Sequence, residues 1–67
     1  MPELRSPLTA QIAEWRVRPG DTVHAGDLLL VLEAMKMEHE VRATDSGVMR
    51  ELFYAAGEPV NEGDVLA

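Results

Sequence analysis

The sequence predicts an all-β domain, on three observations. The chain repeats itself: a shift of 37 positions lays Glu14 to Leu30 over Glu51 to Ala67, with Gly20 on Gly57, Val23 on Val60, Gly26 on Gly63 and Asp27 on Asp64. Glycine-acid pairs punctuate each copy, at Gly20-Asp21, Gly26-Asp27, Gly57-Glu58 and Gly63-Asp64. Such pairs suit positive φ or tight turns. Together with Pro19, they leave room mainly for strands of about 4–6 residues.

The elements follow in order from that frame. One domain spans residues 1–67, with copies at about 4–34 and 38–67. Substitutions between them match in kind: Ile12 with Met49, Trp15 with Leu52, Asp21 with Glu58, Leu28 with Val65. "QIAEWRVR" and "VMRELFY" each carry part of an amphipathic helical pattern, but the closely spaced breakers favour strands there too. The four acidic turn residues read as solvated positions. Ile12, Trp15, Val23, Leu28, Leu52 and Val60 are the expected core.

Local propensity and the repeat disagree at "EAMKMEHE", Glu33 to Glu40. Leu, Glu, Ala, Met and Lys are good helix formers. The repeat instead requires the strand "LLLVLE" to hand over to the strand "EHEVRA". A reversal at Ala34 to Lys36 makes these flanks antiparallel partners and leaves Lys36 at an exposed hairpin tip. An isolated helix of this length is marginal in water, which also favours the hairpin.

Composition narrows the function. A chain of 67 residues has a limited core, and with no cysteine it has neither disulfides nor thiolate metal sites. A net charge of -6 argues against a nucleic-acid partner. Without a signal peptide or a long apolar run, a cytoplasmic protein with no membrane partner is expected. No catalytic or metal-ligating set is expected either. His24 and His39 are isolated and read as surface residues, and no serine has an evident base partner. Lys36 stands out because the other basic residues, Arg5, Arg16, Arg18, Arg42 and Arg50, are all arginines. A task that needs a lysine amine has one place to happen.

"EAMKMEHEV" resembles the attachment motif of biotinyl domains, the biotin carboxyl carrier modules of biotin-dependent carboxylases. The resemblance extends through "SPL", "VRPGDTVHAGDLLLVLEAMKMEHEVRA" and "SGVMRELFYAAGEPVNEGDVL". It implies a flattened β-barrel or sandwich of two four-stranded antiparallel sheets with approximate two-fold symmetry, in a form without an inserted thumb. It also implies covalent biotin on Lys36, with Glu33, Ala34, Met35 and Met37 as recognition residues. The implied partners are a biotin protein ligase, which loads the lysine, a biotin carboxylase and a carboxyltransferase acting on an acceptor such as an acyl-CoA. The domain is then a ligase substrate and a carrier, with the ligase providing the base that deprotonates the amine.

Two departures and three rivals accompany the resemblance. "SPLTA" stands where the family pattern resembles S-P-M-P-G. If that glycine serves an unusual backbone angle, Ala10 costs roughly 1 kcal/mol. Nothing after Ala67 matches Val31-Leu32, so the last strand is expected to be short or the chain to be cut from something longer. A lipoyl carrier shares the fold, but its tip resembles E-S/T-D-K-A, and here Met35 and Met37 take the aspartate and alanine places. An adaptor without a cofactor needs no lysine at this position. A small enzyme lacks a catalytic constellation.

Overall fold

A computed structural model describes residues 3–67. The first two residues of the expected 1–67 domain lie outside the described residues. Among the described residues six strands form: β1 (Ala10–Trp15), β2 (Thr22–Val23), β3 (Leu28–Ala34), β4 (Met37–Arg42), β5 (Gly47–Val48) and β6 (Pro59–Val60). Pairing is antiparallel throughout, in one sheet of order β4-β3-β1-β6 and another of β2-β5. The all-β expectation holds, but the expected pair of four-stranded sheets is replaced by a four-stranded and a two-stranded sheet. The turns at Gly20 and Gly26 confine β2 to two residues, and Arg5 meets Val65 only as an isolated bridge.

The four turn glycines all have positive φ, between 89° and 95°. The acid after each glycine closes its turn. Asp21, Asp27, Glu58 and Asp64 accept side-chain hydrogen bonds from the backbone N–H groups of Arg18, His24, Ala55 and Asn61, at 2.7–2.9 Å. Asp21, Asp27 and Glu58 are exposed and Asp64 is half-buried, yet all four have a structural role that the solvated reading missed. A Gly26→Ala substitution meets no atom within 4 Å, so its effect is conformational. It should destabilise by about 1–2 kcal/mol in urea denaturation.

Each turn glycine also donates its N–H to a carbonyl in the other half of the chain. Gly20 bonds Met49 O at 2.7 Å and Gly57 bonds Ile12 O at 2.7 Å; Gly26 bonds Ala43 O and Gly63 bonds Ser6 O, both at 2.8 Å. The core closes beneath these bonds around Ile12, Val23, Leu29, Leu30, Leu32, Met49, Val60 and Leu66, all nearly inaccessible. Trp15, Leu28 and Leu52 of the expected core are half-buried. Trp15 keeps its indole N–H satisfied on Tyr54 O at 2.8 Å. Adjacent Leu29 and Leu30 both face inward because the β3–β4 register shifts between Leu28 and Leu30. Such a bulge breaks the strict in-out alternation of a strand.

Neither Ala10 nor Gly47 is among the residues with positive φ. Ala10 therefore incurs no left-handed penalty, and the expected cost at that position does not arise.

Candidate functional site

The hairpin β3–β4 presents the motif. Its ladder pairs Leu32 with His39, Glu33 with Glu38 and Ala34 with Met37, leaving Met35 and Lys36 as a two-residue loop. Both loop residues have positive φ, 52° and 63°, as a type I′ turn requires. That turn matches the right-handed twist of its strands, which explains a hairpin where helix formers predominate. β1 supports the ladder as far as the Gln11–Glu33 pair, so only the last pair and the loop project beyond it.

Surface chemistry at the tip follows from this projection. Met35 is 95% exposed and Met37 62%, whereas Leu32, three residues before the loop's first position, is fully buried. Lys36 is exposed, and its ammonium has no ion-pair or hydrogen-bond partner among the described residues. Glu33 and Glu38 face solvent directly opposite each other, a like-charge pair that does not help the hairpin. Lower down, Arg42 offsets this by bridging Glu40 at 3.0 Å and donating to Gly26 O at 3.0 Å. Ala34, the last residue of β3, is half-buried.

All five expected site residues, Glu33, Ala34, Met35, Lys36 and Met37, thus lie together at one hairpin end. The histidines do not join them as a set. His24 is exposed, 3.8 Å from Asp27, while His39 is half-buried opposite Leu32 rather than free on the surface. Among the described residues no group of three His, Cys, Asp or Glu side chains could hold a metal ion. No helix there is long and apolar enough to cross a membrane.

The positive φ at Met35 is an intrinsic weakness, since left-handed backbone disfavours side chains other than Asn, Asp and Gly. Met35→Asn should raise stability by about 0.5–1 kcal/mol, read as an upward shift of the melting temperature of roughly 2–8 °C.

The structure places a lone exposed lysine on a tight β-turn, and comparison with known proteins gives the class. The chain matches, over residues 1–67, the family described as "Biotin-requiring enzyme". It belongs to this family of biotin/lipoyl attachment domains, and its relatives include biotin-dependent carboxylase alpha chains, a biotinylated protein and a dihydrolipoyllysine-residue succinyltransferase component. It is 40% identical over 63 residues to the human mitochondrial propionyl-CoA carboxylase alpha chain, covering 94% of this chain and 9% of that one. It is 34% identical over 65 residues to the biotinylated protein TB7.3 homolog of Mycobacterium leprae, covering 97% and 92%. The chain spans 8–10% of the length of the first carboxylase subunits it matches.

Solved structures agree in fold. A single-chain, multi-domain long-chain acyl-CoA carboxylase aligns with a TM-score of 0.91 at 35% identity, over 97% of this chain and 6% of that one. The lipoyl domain of the 2-oxoglutarate dehydrogenase complex from Azotobacter vinelandii aligns with a TM-score of 0.82 at 27% identity, over 96% and 89%.

Proposed function

We propose that this domain is a biotin carboxyl carrier, biotinylated on Lys36 by a biotin protein ligase, which carries a carboxyl group from a biotin carboxylase site to a carboxyltransferase site acting on an acceptor such as an acyl-CoA. The observation that carries this reading is the placement of the chain's sole lysine, exposed and without a partner among the described residues, on a two-residue turn. Attached biotin supplies the carboxyl-accepting chemistry. The chain's own part is mechanical. A ladder anchored by buried Leu32 fixes the base of the hairpin, the turn carries the lysine at its exposed end, and no side chain among the described residues bonds its amine. Tethering then makes each encounter effectively intramolecular, at local concentrations toward the mM range when reach matches span.

In this reading Glu33, Ala34, Met35 and Met37 form the surface read by the ligase and the carboxylase sites. Their exposure supports it for Met35 and Met37, since apolar side chains held in water have no packing role. The domain acts as substrate and carrier, and catalysis belongs to its partners. A flattened barrel built from one unit used twice goes with the reading, supported by turn hydrogen bonds that recur at a shift of 37, Gly20 to Met49 and Gly57 to Ile12 among them.

A lipoyl carrier is the second reading, favoured by the fold likeness to the lipoyl domain and opposed by the two methionines flanking Lys36. The deciding experiment is the intact mass after incubation with a biotin protein ligase, ATP and biotin, and separately with a lipoyl ligase and lipoate. A single biotinyl increment supports the proposal. An increment only with lipoate would replace it.

A further inference from the structure

The chain has no cysteine, so its sulfur lies in the thioethers of Met1, Met35, Met37 and Met49. A peroxide finds no thiol here to consume first. The fold then divides the three described methionines. Met49 is 2% exposed, in the core with Ile12, Val23 and Val60, whereas Met35 is 95% exposed and Met37 62%. The two exposed ones flank Lys36, Met35 beside it in the turn and Met37 opposite Ala34 on the last rung of the ladder.

Oxidation has opposite consequences at the two places. A sulfoxide at Met49 would set a polar oxygen among buried apolar side chains, at the expense of the core. At Met35 and Met37 the new oxygen stays in water, so the turn and its ladder are kept. What changes is the surface of the tip. Two flexible apolar side chains become polar, and each sulfoxide adds a hydrogen-bond acceptor next to an ammonium that has no partner among the described residues. A protein that packs against the tip would bury that oxygen unpaired.

We propose that Met35 and Met37 form a reversible modification site, oxidised by a peroxide, whose sulfoxide state closes the tip to the ligase. This rests on the carrier reading and adds a regulator to the same site. At each side chain the sulfur lone pair attacks one peroxide oxygen: an S–O bond forms, the O–O bond breaks and sulfur is oxidised by two electrons. The proton on the transferred oxygen passes to the departing one, which leaves as water when the oxidant is hydrogen peroxide. A methionine sulfoxide reductase reverses the change, oxidising two thiols to a disulfide, restoring the thioether and releasing water.

The test is a timed hydrogen peroxide treatment of the full chain, read by peptide mapping, followed by removal of the peroxide and measurement of the initial rate of biotin loading by the ligase. Met35 and Met37 should oxidise about tenfold or more faster than Met49, with the melting transition unchanged, and loading should slow by about tenfold. The two epimer-specific sulfoxide reductases together should restore the rate. A Met35→Leu/Met37→Leu double variant, compared only with itself before and after peroxide, should show no slowing. Loading of the oxidised chain at the untreated rate would overturn the proposal, as would oxidation of Met49 as fast as the tip. Equal slowing in the double variant would place the effect elsewhere and overturn it too. A folded, untreated chain that takes no biotin at all would instead remove the carrier reading, and the proposal with it.

Discussion

Lys36→Arg should abolish the biotin increment entirely while leaving the fold unchanged. Arginine preserves the positive charge and the long aliphatic stem, and Lys36 is exposed with no partner to lose among the described residues. Stability should stay within about 0.5 kcal/mol, as for most surface changes. The guanidinium, however, remains protonated at any accessible pH and is no acyl acceptor. No second lysine is available to take over. Intact mass and a thermal melt on the same two samples check both halves of the expectation. A retained increment in the folded variant would move the attachment away from Lys36 and remove the basis of the carrier reading.

Leu32→Ala should have the largest effect on stability. Leu32 is fully buried and sits in the middle of the three-strand platform, paired with Ile12 on one side and His39 on the other. Deleting three carbons there leaves a cavity flanked by backbone ladders that collapse poorly, at a cost of about 2–5 kcal/mol. A core of this size supplies only about 3–5 kcal/mol of net stability. The variant should therefore be largely unfolded at 37 °C, as seen by circular dichroism and urea titration. Loading by the ligase should fall with it, since the presented hairpin depends on the platform. A variant as stable as the parent would mean that the tip is supported by its own turn rather than by β1.

Turn chemistry made most of the fold legible. The glycines at positions 20, 26, 57 and 63 marked left-handed corners that local sequence dictates, and the structure has positive φ at each. The hairpin was legible only through the repeat, because the residues from Leu32 to Glu40 prefer a helix in isolation and no Asn-Gly announces the turn. Tertiary pairing with β1 overrides that preference. Lys36 was legible by scarcity, as one lysine among five arginines.

Other features lay beyond a one-dimensional reading. The consecutive burial of Leu29 and Leu30 depends on a register shift, which no alternation pattern encodes. The hydrogen bonds that Asp21, Asp27, Glu58 and Asp64 accept from the amide three residues earlier had a signal in the fixed glycine-acid spacing, but an acid in a turn is equally compatible with simple solvation. Half-burial of His39 follows from its place opposite Leu32, a partner set by strand pairing rather than by sequence neighbours.

The turn glycines tie each half of the chain to the other: Gly20 and Gly26 bond to Met49 and Ala43, while Gly57 and Gly63 bond to Ile12 and Ser6. Neither half satisfies the N–H groups of its own turn glycines, so folding resembles the association of two monomers joined by a two-residue leash. A backbone cut between Met35 and Lys36 would make that association bimolecular. The two fragments would then reconstitute the domain with a midpoint that rises with their concentration, whereas the intact chain melts independently of dilution.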